Sequence, residues 1–114
     1  MHDKLQRDLG VGVIWLVVLS AIARAAEPIH GYEISRSLSA AAPAGFSVKH
    51  GTLYPILRTM EAEGLVTSTL VASTEGPAKK CFRITDTGTA TLAAWVRAWG
   101  QTKQWVNHTL GETR

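Results

Sequence analysis

The apolar positions of the chain change period as it proceeds. From Leu9 to Ala23 the run "LGVGVIWLVVLSAIA" carries no charge before Arg24, and a first helix is predicted from about Lys4 to Ala26, stopped by Pro28. Ile29, Tyr32, Ile34 and Leu38 suit a second helix over about 31–41, ended by Pro43 and Gly45. Leu53, Ile56, Leu57 and Met60 then fall on one stripe of a third helix. Ser47 is its expected N-cap, and Gly64 its terminating glycine after Glu63. The period next shortens to two: "LVTSTLVAS" and "CFRIT" alternate on either side of the turn-like "TEGPAKK", which predicts a β-hairpin. Thr85 or Asp86 caps a last helix, "DTGTATLAAWVRAWGQTKQWVNHTL", locally weakened by Gly88 and Gly100.

Three helices, a hairpin and a final helix make a mainly α fold with a small β-hairpin. The order is that of a winged helix-turn-helix over residues 1–85, with a C-terminal dimerisation helix over 86–114. In that layout the third helix enters a DNA major groove and the hairpin, or wing, lies beside the backbone.

Pro55 interrupts the third helix, where a proline removes one hydrogen bond and costs about 3 kcal/mol. On a helical wheel it lies with Gly51, Arg58 and Ala62, opposite the apolar stripe. The ring therefore points away from the core, and Gly51 leaves its backbone open to close approach from outside. A helix end laid into a groove fits both features. The candidate DNA-contacting residues are Ser47, Lys49, His50 and Thr52 around the helix start, Tyr54 and Arg58 further along, and Lys79, Lys80 and Arg83 on the hairpin.

Composition adds constraints. The 114 residues suit one domain, 46% are apolar, and the formal net charge of +3 permits a nucleic-acid partner without requiring one. Cys81 is the single cysteine, so no internal disulfide forms, and a lone thiol fits a reducing cytoplasm. The fifteen-residue apolar run is shorter than the roughly 18–20 residues of a membrane span, so a buried helix and no membrane partner are expected. A helix apolar on nearly all sides must be covered on nearly all sides, which in a short chain implies a second subunit. Catalysis has little support. Cys81 sits beside Phe82 in a strand, the carboxylates are scattered, and His2, His30, His50 and His108 lack zinc-type spacing with Cys81. No metal, no cofactor and no enzymatic activity are expected.

Leu92, Trp95, Trp99, Thr102 and Val106 alternate in steps of three and four, a heptad-like seam. Pairing it with the first-helix face that carries Val13 and Leu16 gives a homodimer. All four tryptophans, Trp15, Trp95, Trp99 and Trp105, lie in these two helices. Interface packing explains them, and so does an aromatic pocket of Trp15, Trp95 and Trp99 in which a planar ligand stacks.

"HGYEI" (His30–Ile34), "GTLYPIL" (Gly51–Leu57), "LRTMEAEGLV" (Leu57–Val66) and "GPAKKCFRITDTG" (Gly76–Gly88), in that order, resemble the PadR family of transcriptional regulators. Cys81 and Phe82 stand where that family often has two adjacent aromatics. The single C-terminal helix is similar to the subgroup that includes multidrug-responsive repressors. The resemblance implies a homodimeric repressor on double-stranded DNA with an inverted-repeat operator, the last helix of each subunit packing on the first helix of the other. It also implies a small aromatic effector at the dimer centre, with Trp99 in the place of a stacking wall. The rival reading is a winged helix that pairs only with protein and has lost DNA binding.

Overall fold

Apolar spacing, turn chemistry and backbone geometry combine, among the described residues, into four helices and a three-stranded antiparallel sheet. The computed structural model describes residues 1–43 and 46–112; Gly45, expected to help end the second helix, lies outside them, as does the end of the 86–114 segment. The elements are α1 (His2–Arg24), β1 (Ile29–His30), α2 (Gly31–Ala41), α3 (His50–Ala62), β2 (Val66–Val71), β3 (Lys79–Ile84) and α4 (Asp86–Thr109). The sheet order is β1-β3-β2, with Ile29 opposite Phe82 and Ser68 opposite Phe82 from the other side. The two-residue β1 extends the expected hairpin to three strands.

Val18, Leu19 and Ile22 of α1, Ile34 of α2 and Leu53, Ile56, Leu57 and Met60 of α3 form the core, closed by Val48, Leu65, Val66 and Phe82. The stripe expected of the third helix is thus buried, while Gly51, Pro55, Arg58 and Ala62 are exposed. α3 runs unbroken through Pro55. Its end has the expected glycine: Gly64 takes φ +75°, Leu65 N donates to Met60 O at 2.9 Å and Gly64 N donates to Glu61 O at 3.1 Å. This pair of bonds is a Schellman motif, which satisfies the last carbonyls and turns the chain into β2.

Two expectations are corrected. The N-cap of α3 is Lys49, not Ser47. Val48 is buried ahead of it and clasped by two serines of α2: its N–H is donated to Ser39 Oγ at 3.1 Å, and its carbonyl accepts from the hydroxyls of Ser35 and Ser39. These bonds hold the approach to α3 extended, so the helix starts later. The first helix is also not a buried one within this chain. α1 is long and apolar enough to cross a membrane by length and composition, yet most of that stretch is uncovered, including Leu5, Leu9 and Val11. Only its second half reaches the core.

α4 starts where Thr85 Oγ1 accepts from Gly88 N at 2.9 Å, the predicted cap. The same hydroxyl donates to Gly64 O at 2.6 Å and lies 3.1 Å from Leu65 O. Gly88 is more than a weak helix former: a Cβ there would sit 2.0 Å from Leu65 O. An unconstrained helical glycine gains up to about 1 kcal/mol when replaced by alanine. Gly88→Ala should have the opposite sign, a loss of about 2 kcal/mol or more, because backbone must shift to admit the methyl group. Urea unfolding of both proteins measures it.

Candidate nucleic-acid interface

α3 presents two chemically different sides. Its inner stripe is core; its outer side carries Lys49, His50, Gly51, Thr52, Tyr54, Pro55 and Arg58, all exposed. No side chain caps its N-terminus and no acid lies in its first turn. The positive end of the helix dipole is therefore uncovered, flanked by Lys49 and by exposed Ser47. The rings of His50 and Tyr54, one turn apart, lie 5.6 Å centroid to centroid and tilted by 44°. At Gly31, the start of α2, a Cβ would make ordinary contacts, 3.6 Å from Leu57 and 3.9 Å from His50. Gly51 differs, since a Cβ would meet nothing within 4 Å. Packing within the chain does not explain glycine at that site.

The wing divides its cations by strand parity. Lys79 and Arg83 are exposed on one face of β3; Lys80 shares the other with Phe82. Lys80 Nζ lies 3.2 Å from Glu61 Oε1 and 5.6 Å from the centre of the Phe82 ring. Ser68 of β2 donates to the other carboxylate oxygen of Glu61. The Ser68 hydrogen bond, and then Lys80, hold the Glu61 carboxyl below its ordinary value of 4.5. The structure thus brings Ser47, Lys49, His50, Thr52, Tyr54 and Arg58 to one end and side of α3, sets Lys79 and Arg83 out from the wing, and ties Lys80 inward. Nothing in the residue pattern singles out Glu61, because its partner is nineteen residues away and no local spacing marks the pair.

On the sheet's other face His30 stands opposite Cys81. Both line an open groove with Glu33, Lys79 and the α1–β1 linker. Burial, with Glu33 adding to it, pushes the Cys81 thiol up, away from the reactive thiolate. Among the described residues no group of three or more His, Cys, Asp or Glu is placed to hold a metal.

The proposed ligand and dimer residues split. Leu92 and Trp95 of α4 and Trp15 of α1 pack on the chain's own core, so one subunit covers more of the seam than its spacing suggested. Val13 and Leu16 are half-buried. Trp99 is 45% exposed, Val106 44% and Trp105 70%, so the seam's far half is open.

A short three-stranded wing beside an uncapped, basic-flanked third helix defines a winged helix-turn-helix DNA-binding protein. Comparison with known proteins makes the class specific. The model of the transcriptional regulator PadR-like family matches residues 18–94, and the chain belongs to that family of non-catalytic, DNA-binding regulators. It is 34% identical to a PadR-like transcriptional regulator from Bacillus cereus, whose crystal structure superposes with a TM-score of 0.77 over 90% of this chain and 96% of that one. A PadR family regulator from Eggerthella lenta is 28% identical, with a TM-score of 0.80 over 94% and 89% of the two chains. An uncharacterized protein of Lysinibacillus sphaericus shares 31% identity over 66% of this chain and 69% of its own length. A probable transcriptional regulator of Mycobacterium tuberculosis shares 35% identity over 58% of this chain, which spans only 35% of that longer protein.

Gly51→Ala separates folding from binding. The added methyl group meets open space, so thermal stability should hold or rise by up to about 1 kcal/mol. If this side of α3 enters a groove, duplex affinity should fall, because the methyl group then stands between backbone and DNA. Unfolding and fluorescence anisotropy on one preparation read both.

Proposed function

We propose that the chain is a homodimeric transcriptional repressor that reads an inverted-repeat operator with two copies of α3. Residues 1–85 form the reading unit, and α4 with the Val13–Leu16 face of α1 forms the dimer seam through Val13, Leu16, Leu92, Trp95, Trp99 and Val106. The observation that carries this reading is the coexistence of two exposed surfaces on one fold: the polar N-terminal end of α3, and the apolar side chains Leu5, Leu9 and Val11 of α1 with Trp99, Val106 and Leu110 of α4. The first suits phosphate and base edges; the second needs a helix of a second copy. Ser47, Lys49, His50, Thr52, Tyr54 and Arg58 meet the groove, and Lys79 and Arg83 meet the backbone. Such a protein works in the cytoplasm, where its DNA is, and needs no membrane.

Two α3 helices enter successive major grooves when they stand about 34 Å apart. A planar aromatic effector between Trp15, Trp95 and Trp99 changes that spacing only by binding one arrangement better than the other. Support for this comes from the exposed Trp99, one turn along α4 from part-buried Trp95, and from the resemblance to drug-responsive repressors.

Selection from a random DNA pool tests the reading directly. It should return symmetric sites whose half-site centres are one helical turn apart. Joint replacement of Lys49, Arg58 and Lys79 by alanine should weaken binding to every duplex and flatten its salt dependence by about 0.9 per lost phosphate contact. Unchanged affinity and slope would instead establish a protein-interaction module.

The seam has its own test. Purified protein should sediment as a dimer at micromolar concentration, and Val106→Asp, which places a charge in the proposed seam, should shift it toward monomer. Planar dyes should quench tryptophan fluorescence of the dimer, and Trp99→Ala should reduce that quenching. A single-copy species refutes the seam; absence of quenching across a broad dye set refutes the effector.

A further inference from the structure

A charge pair joins α3 to the wing, the two elements that meet groove and backbone when a winged helix binds DNA. Lys80 points toward α3, opposite in parity to Lys79 and Arg83. Its ammonium is placed 3.2 Å from Glu61 Oε1 and over the Phe82 ring, while Ser68 fixes the second oxygen of that carboxylate. Three elements, α3, β2 and β3, thereby meet at one carboxyl group.

We propose that Glu61 is an internal counter-anion that withholds Lys80 from DNA phosphates and sets how strongly the wing holds DNA of any sequence. The inference rests on α3 and the wing being the DNA face. A phosphate that approaches Lys80 also approaches the Glu61 carboxylate, and the two anions repel. The pair is a third exposed, with side-chain accessibilities of 39% for Lys80 and 35% for Glu61, so it contributes little to folding. Its consequence falls on binding instead. Sequence-independent affinity grows with each phosphate neutralised, and Lys80 is removed from that total. Glu61 is a positioning residue: it does not touch DNA but decides what Lys80 touches.

The test is the salt dependence of binding to a random-sequence duplex, measured by fluorescence anisotropy on the full chain. Lys80→Met should leave the slope of log affinity against log salt at its wild-type value. Glu61→Gln keeps a partner for Ser68 but no charge. It should steepen the slope by about 0.9 per subunit, so that raising salt from 50 to 200 mM costs roughly 3- to 4-fold more affinity per released lysine. The double variant should return to the wild-type slope, a result that a merely structural role for Glu61 does not produce. Lys80→Met flattening the slope, or Glu61→Gln leaving it unchanged, would overturn the proposal. Lys79→Ala and Arg58→Ala serve as separate controls: if neither flattens the slope, the DNA face itself is misassigned, whatever Glu61 does.

Discussion

The carbonyl oxygen of Leu65 sits where the recognition helix, the wing and the last helix meet, and the geometry around it leaves almost no slack. Gly64 in the left-handed region turns α3 into β2, and Thr85 N donates to Leu65 O at 3.0 Å as β3 becomes α4. The Thr85 hydroxyl bonds Gly64 O and caps α4 through Gly88 N. Gly88 lies so close to Leu65 O that any other residue forces the backbone to shift. These contacts use backbone groups and one short side chain, Thr85, with no long side chain to absorb movement. The direction in which α4 leaves the domain is therefore tied to the direction in which α3 ends. A protein that reads DNA with α3 and pairs through α4, as proposed, would need that joint to be stiff, because a rotation at the seam would have to arrive at the groove undiminished.

The same joint explains why one chain cannot satisfy its own apolar surface. α4 has 24 residues, about 36 Å of helix, and its first turns lie against the core through Leu92 and Trp95. Its direction being set, the remaining turns project past the domain and carry Trp99, Trp105, Val106 and Leu110 into the open. α1 does the same from the other end, with Val18, Leu19 and Ile22 in the core and Leu5, Leu9 and Val11 outside it. Exposed apolar surface on this scale marks an interaction site. Regulators of the PadR family are typically dimeric, and in the proposed seam a two-fold partner would offer each projecting helix the complementary face of the other.

Local periodicity and turn chemistry make part of this fold legible in the amino-acid sequence: the stripe of α3, the outward Pro55, the glycine at 64, the Thr85 cap and the wing. Features that depend on a distant partner leave no such trace. β1 is two residues long, too short to show a period, and exists because Ile29 and His30 find Phe82 and Cys81 across the sheet. Ser47 has the chemistry of a cap, but Ser35 and Ser39 on another helix seize Val48 and move the helix start to His50. Gly88 reads as a helix weakener until the carbonyl it lies against is known. The surface proposed for DNA is legible as a set of residue types; the inward turn of Lys80 is not, since its partner Glu61 is on another element.

The charge pattern ties the two surfaces together. A net charge of +3 is modest for a DNA-binding chain, and Glu61 occupies Lys80 while Glu75 sits in the turn of the wing. The cations left to each subunit's proposed DNA face are Lys49, Arg58, Lys79 and Arg83. If each met one phosphate, a single chain would carry a salt slope of only about 3 to 4, and a dimer about 7. The first value belongs to weak, easily displaced binding; the second approaches that of a tight operator complex. Joining two weak readers also makes the second contact effectively intramolecular, which multiplies affinity without any new interaction. With so sparse a set of charges, the proposed dimer would owe its retention on DNA at physiological salt to the apolar seam as much as to the basic residues, and loosening the tryptophan-bearing helices would then loosen its grip on DNA.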